Sequence, residues 1–217
     1  MKYKAAIFDM DGTVLDTLSD LADSVNYSLS RFGFPEVSRD KVRMSLGNGA
    51  EYLIRSCAPS DIEETELQSL LSFYKEWYNG HCIIKTAPYD GILPLMDALS
   101  TVNVKVAIVS NKPDPTVREL SARFFGDRLD FSLGERPGVR RKPEPDTVLA
   151  AVEELGLSVS ECVYIGDSEV DVETARRAKM DCIGVAWGFR GEESLRASGA
   201  ELIAAAPEDI FSMILLS

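Results

Sequence analysis

Three apolar runs in this chain each stop at a polar residue: Ile7-Phe8 at Asp9, Ile108-Val109 at Ser110-Asn111, and Tyr164-Ile165-Gly166 at Asp167. One aspartate after a strand is ordinarily a cap or a turn residue. Three such endings carry more weight, because ligands of open α/β sheets bind outside the carboxyl ends of the strands. The carboxylates also come in pairs, Asp11 two residues beyond Asp9 and Asp171 four beyond Asp167, and Lys142 between Arg141 and Pro143 offers an amine just before a helix. Such groups can serve as a nucleophile, as an acid and base, or as ligands of a hard cation.

Read together, Asp9-Met10-Asp11-Gly12-Thr13-Val14-Leu15-Asp16-Thr17 resembles the DxDGTxxDT signature of haloacid dehalogenase-type phosphatases, with no gap. The other motifs of that family follow in order: a strand-end hydroxyl at Ser110, a lysine at Lys142, and the acidic GDxxxD pair at Gly166-Asp167-Ser168-Glu169-Val170-Asp171. The resemblance implies that Asp9 attacks a phosphate ester. An aspartate is already ionised at neutral pH, so it needs no activating base, and attack at phosphorus forms an acyl phosphate that water then hydrolyses. The leaving alkoxide must gain a proton and the incoming water must lose one, a pair of tasks for which Asp11 is the candidate.

Carboxylates beside a phosphate require a cation between them, and Mg²⁺, which favours an octahedron of oxygens, fits that need. The resemblance implies as ligands the side chains of Asp9 and Asp167 and the main-chain carbonyl of Asp11. Asp171 either completes the shell or orients it, and it also has a plain reading as an acidic residue in the first turn of a helix. The phosphate oxygens call for donors, supplied by Ser110, by main-chain amides from Asp11 through Gly12 to Thr13, by the Asn111 amide and by the Lys142 ammonium. Lys112, followed by Pro113, reads as a surface residue.

The elements that must position these groups form a regular pattern. Strands are expected at 5–8, 104–109, 130–133, 162–165, 182–186 and 201–204, with helices at 114–125, 145–155, 169–179, 192–197 and 207–216 between and after the later ones. Strand then helix, repeated with short connections, is the pattern of a parallel sheet covered on both faces. The expected fold is therefore α/β, a doubly wound, Rossmann-like sheet. From about residue 16 to 87 the pattern changes to helices only: Leu18, Leu21, Ala22, Val25 and Leu29 recur at helical spacing up to Gly33, Ser38 can cap a second helix, and Ser60 or Asp61 a further one reaching Trp77. This predicts a core domain of residues 1–15 plus 88–217 with an inserted all-helical cap domain of residues 16–87, hinged near 15–17 and 87–89.

Selection of the leaving group would fall to that insert. Gly47-Asn48-Gly49 is an ordinary turn by itself, but with Glu51-Tyr52-Leu53-Ile54 and Pro88-Tyr89-Asp90-Gly91-Ile92 it is similar to the lid and second hinge of phosphoglycolate phosphatases. Arg43 is a candidate second anion contact whose alternative is a solvated helix face. Phe73, Tyr74, Trp77 and Tyr78 read as packing within the cap, and the lone His81 as an exposed linker residue.

Composition narrows the function further. Of 217 residues, 45% are hydrophobic and 27% charged, the profile of an ordinary globular protein. Thirty-five acidic against 23 basic residues give a net charge of −12, which disfavours nucleic acid and anionic membranes as partners. The scattered Cys57, Cys82, Cys162 and Cys182 read as reduced thiols of a cytoplasmic protein, and neither a signal peptide nor an apolar membrane span is expected. The implied partner is a small phosphorylated metabolite, most simply phosphoglycolate, bound by a monomer or homodimer. A phosphosugar mutase of the β-phosphoglucomutase type, a pyrophosphatase, and a non-catalytic binder of a phosphometabolite remain as alternatives.

Overall fold

Strands that are apolar on both faces must be covered on both, and the central strands here are. In the computed structural model, which describes residues 2–217, the strands Ala5–Phe8 and Cys162–Gly166 are buried along their whole length. The elements run β1 (Ala5–Phe8), β2 (Leu15–Asp16), α1 (Leu18–Arg31), α2 (Arg39–Met44), α3 (Gly49–Cys57), α4 (Glu64–His81), β3 (Ala87–Pro88) and α5 (Ile92–Thr101). They continue with β4 (Lys105–Pro113), α6 (Asp114–Phe124), β5 (Phe131–Glu135), α7 (Asp146–Glu154), β6 (Cys162–Gly166), α8 (Glu169–Ala178), β7 (Asp181–Val185), α9 (Gly191–Ala197), β8 (Leu202–Ala204) and α10 (Pro207–Leu215). The chain divides into two compact units, one ending at Leu15 and resuming over Pro88–Ser217, the other Asp16–Ala87.

In the first unit six strands form one sheet in the order β5-β4-β1-β6-β7-β8, every pair parallel. The chain leaves β1 to build outward through β4 and β5, then returns to β1's other side with β6, so the winding reverses between β1 and β6. This is the doubly wound α/β arrangement, and the reversal is where such sheets open a crevice for ligands. Register fixes what meets there: Phe8 lies opposite Ile108 on one side and Ile165 on the other, so the residues that follow all three emerge at one edge. On one face Ile7, Val109, Leu133 and Tyr164 pack against Val148, Ala151 and Val152 of α7 and Ala175 and Ala178 of α8. Burial of these apolar side chains, each contributing about 1.5–3 kcal/mol when large and fully buried, holds the strand tips in place.

The second unit is helical. Ser38 accepts a hydrogen bond from the Lys41 amide at 3.1 Å and so caps α2. The buried Asp20 carboxylate of α1 accepts from the amides of Lys85 and Thr86 at 2.9 Å, tying the end of the insert to its beginning. Tyr74 and Tyr78 are buried, whereas Phe73 and Trp77 are half-buried and stack with Tyr27, Trp77 at 3.9 Å between centroids. His81 is not an exposed linker residue: it ends α4, half-buried, with its ring stacked 3.7 Å from Trp77 and Nδ1 2.7 Å from the Trp77 carbonyl.

Other boundaries differ from those the sequence suggests. α4 starts after Glu63, not at Ser60 or Asp61, because Pro59–Ile62 is spent on a turn closed by the Ile62 amide on the Pro59 carbonyl at 3.2 Å. α5 carries apolar residues almost all round and a proline in its first turn, so its period is blurred and no element is expected there. β4 extends to Pro113, well past Val109, and takes Ser110, Asn111 and Lys112 into strand backbone. Among the described residues, no helix is long and apolar enough to cross a membrane.

Candidate active site

Asp9 follows β1, and its amide still pairs with the Ile165 carbonyl of β6 at 2.8 Å, so the strand ladder itself fixes where the carboxylate starts. Its Oδ1 accepts from the Met10 amide at 2.7 Å and from the Lys142 ammonium at 2.8 Å. Lys142 is almost wholly buried, and the same ammonium reaches Asp171 Oδ1 at 2.8 Å and donates to the Tyr164 hydroxyl at 3.0 Å. The loop that carries it is clamped from β4: the Asn111 side chain donates to the Lys142 carbonyl at 2.9 Å and accepts from its amide at 2.8 Å. Asn111 thus places the lysine with its side chain, a role distinct from the main-chain phosphate donor expected of it.

Asp171 has both oxygens engaged, Oδ1 by Lys142 and by the Tyr164 hydroxyl at 3.0 Å, Oδ2 by the Ser168 amide at 3.1 Å and hydroxyl at 2.6 Å. It therefore caps the start of α8 and orients the lysine at once. Gly166 makes this possible, since a Cβ there would lie 2.3 Å from the Asp171 Cβ. Asp167 accepts from the Phe189 amide at 2.7 Å and from Thr13 Oγ1 at 3.4 Å. Gly12 turns the chain beside it with φ +83°, and a Cβ at that position would sit 2.4 Å from Asp167 Oδ2. Only glycine meets both demands.

The remaining expected residues divide between the units. Ser110 and Thr13 are buried in the sheet unit, Ser110 Oγ accepting from the Lys112 amide at 3.2 Å and the Thr13 carbonyl accepting from Trp187 Nε1 at 3.1 Å. Asp11 is partly exposed and pairs with Lys112 at 3.2 Å. This overturns the surface position expected for Lys112, whose side chain is only 4% exposed because β4 carries it inward. Gly47, Asn48, Gly49 and Arg43 belong to the helical unit: Gly47 and Gly49 have φ of +100° and +83°, Asn48 precedes α3, and Arg43 pairs with Asp40 at 3.3 Å. Tyr164 and the Trp187-Gly188-Phe189 turn are the parts that sequence reasoning passes over, and Lys112 the one it misplaces. Tyr164 looks like any strand aromatic, and the turn has no motif, although its paired aromatics around a glycine just after a strand were a usable hint.

The electrostatics of the cluster are lopsided. Burial first, and the Asp171 charge second, push the Asp9 carboxyl up to about 7 against the pull of Lys142. Burial, then Asp171 and Asp9, raise Asp167 well above the usual carboxylate range. Burial would lower the Lys142 ammonium, but the Asp171 and Asp9 charges outweigh it and raise it. Asp9, Asp167 and Asp171 each offer an oxygen, all within 4.8 Å of one another, and one lysine ammonium stands against them. Such a group needs a further positive charge to ionise fully. Three carboxylates with no nitrogen or sulfur donor fit a hard divalent cation of the magnesium, calcium or manganese kind.

Known proteins resemble the chain over most of its length. The family model described as haloacid dehalogenase-like hydrolase matches residues 6–185. The chain is 29% identical over 99% of its length to the N-acetylmuramic acid 6-phosphate phosphatase of Pseudomonas aeruginosa, covering 96% of that protein. It is 30% identical over 86% of its length to phosphoglycolate phosphatase 1 of the same organism, covering 70% of it. The crystal structure of a Lactobacillus delbrueckii subsp. bulgaricus protein, provisionally assigned as a phosphoglycolate phosphatase, superposes with a TM-score of 0.93, 40% identity and 99% coverage of both chains.

Proposed function

This chain belongs to the haloacid dehalogenase-like hydrolases and acts on phosphate esters, and from that premise we propose that it is a Mg²⁺-dependent phosphatase of phosphoglycolate working through a phosphoryl-Asp9 intermediate. The observation that carries this reading is the Asp9 carboxylate, buried at the tip of β1, 2.8 Å from the Lys142 ammonium and grouped with Asp167 and Asp171.

In the first step an Asp9 carboxylate oxygen attacks phosphorus, the ester oxygen departs with a proton from Asp11, and the phosphoryl group is left on Asp9. In the second, Asp11 takes a proton from water as that water attacks phosphorus, releasing phosphate and restoring the Asp9 carboxylate. Ser110, Lys142 and the Thr13 amide, whose bond to the Met10 carbonyl is long at 3.4 Å, bind the phosphoryl oxygens, whereas the Gly12 amide expected among them is spent on the Leu15 carbonyl at 2.9 Å. The Asp9 and Asp167 carboxylates and the Asp11 carbonyl would hold the ion. Asp171, with both oxygens already engaged, sets the lysine in place. Bound there, Mg²⁺ supplies the positive charge that lets a dianionic ester approach the carboxylates.

The choice of phosphoglycolate rests on the helical unit, where Gly47 and Gly49 turn the chain with positive φ and present no Cβ to a small carboxylate, and Arg43 supplies a second cation. A second reading, N-acetylmuramic acid 6-phosphate, is favoured by the relative that aligns over 99% of this chain. All four cysteines are free thiols, which supports a cytoplasmic setting.

The test is phosphate release from phosphoglycolate, N-acetylmuramic acid 6-phosphate, glucose 1-phosphate and pyrophosphate, each with Mg²⁺ and with EDTA. The highest kcat/KM is expected on phosphoglycolate, and none of the activity should survive EDTA. Glucose 1-phosphate converted to glucose 6-phosphate without free phosphate would replace hydrolysis by a mutase reaction.

A further inference from the structure

Two lysines, not one, are buried at the tips of the strands. Lys142 serves Asp9 and Asp171. Lys112 sits on β4 with its side chain 4% exposed, and its ammonium lies 3.2 Å from Asp11 Oδ2. Taking an ammonium out of water is costly unless a partner compensates, and a long charged side chain is rarely buried without one. The Asp11 carboxylate supplies such a partner.

The backbone around Lys112 is held for this purpose. Residues 110–112 are strand, not loop, and the Lys112 amide is tied to Ser110 Oγ at 3.2 Å. On the neighbouring strand, Gly134 comes so close that a Cβ would lie 2.5 Å from the Lys112 carbonyl, and the Gly134 amide donates to Asp114 Oδ1 at 2.9 Å. β5 thus locks the segment from its open side. Asp11, by contrast, lies beyond the end of β1 in the turn at Gly12, with its side chain 21% exposed.

We propose that Lys112 is the positioning residue of Asp11, a rigid strand-borne cation that aims the proton-transferring carboxylate as Lys142 aims the nucleophile. This rests on the phosphatase reading and on Asp11 moving protons. Since about 1 Å of misplacement can cost about 10²-fold in rate, losing the anchor should damage turnover without removing any reacting group.

The experiment is a double-mutant cycle on a small alkyl phosphate ester with Mg²⁺, using Lys112→Met, Asp11→Asn and the pair. Lys112→Met should lower kcat by about 10- to 100-fold with KM nearly unchanged, and on the Asp11→Asn background it should cost no more than about 2-fold, because coupled groups are non-additive. If Lys112→Met does not fold, as judged by circular dichroism and melting, Lys112→Gln carries the same cycle with an amide donor of similar reach. A rise in KM alone would make Lys112 a phosphate-docking residue, and equal losses on both backgrounds would make it merely structural. Either result overturns the inference and leaves the phosphatase reading intact. A wild-type protein that releases no phosphate from any ester removes both.

Discussion

The two units spend their polar residues differently. In the sheet unit the reacting groups are over-determined: Asp9, Asp167, Asp171 and Lys142 are buried, and each is fixed by at least two further atoms. In the helical unit the residues assigned to selection lie nearer solvent: none of Arg43, Gly47, Asn48 and Gly49 is fully buried, Arg43 pairs with Asp40 at 3.3 Å, and Gly47 and Gly49 turn the chain with positive φ. A rigid constellation suits chemistry, in which position within an ångström decides rate. A solvent-facing surface suits recognition, in which a single exposed contact is worth no more than about 1 kcal/mol and is easily retuned.

If that contrast is right, mutations in the two units should differ in kind. The largest effect is expected at Lys142. Lys142→Met leaves Asp9 and Asp171 buried without their cation, so it should remove turnover and lower unfolding free energy by about 3–5 kcal/mol, read by denaturant melts. A loss of activity with unchanged stability would contradict the picture of an over-determined cluster.

Metal and pH should act next. Without a cation, Asp9 in the folded chain titrates at about 7 because of burial and Asp171, whereas an unfolded aspartate titrates near about 3.9. The folded form therefore holds a proton that the unfolded form does not between those values. Its share of stability is full below the unfolded value and is lost as pH rises through about 7. Metal ligands must give up their protons, so Mg²⁺ should raise the melting temperature more at pH 8 than at pH 5.5. An equal rise at both would separate Asp9 from the ion.

The smallest effect belongs to the helical unit. Arg43→Ala should leave stability within about 0.5 kcal/mol and raise KM for a carboxylate-bearing ester by about 3- to 5-fold at constant kcat. A fall in kcat would bring the helical unit into the chemistry.

Much of the site was legible in the sequence because strand ends are marked twice, by the stop of an apolar run and by the polar type that follows. Asp9 and Asp167 are of that kind, whereas Ser110 ends an apolar run but lies inside β4, and the alternating strands and helices gave the doubly wound sheet. Burial at the strand tips was not legible. Lys112 and Asn111 look like loop residues until β4 is seen to extend to Pro113, and no local signal tells a strand to continue through Ser-Asn-Lys. The Trp187–Phe189 turn, which supplies the Phe189 amide to Asp167, depends on contacts more than 20 residues away in sequence. Asp20 was invisible for the same reason: its partners are amides 65 and 66 residues on.

The covalent bond between Asp9 and phosphorus is the step on which the proposed chemistry depends. Turnover of a small phosphate ester with Mg²⁺, quenched in acid and followed by peptide mass spectrometry, should find one phosphoryl group on the peptide containing Asp9, absent from Asp9→Asn, which should fold normally and release no phosphate. Steady phosphate release by Asp9→Asn, or a phosphoryl group carried by another residue, would contradict it.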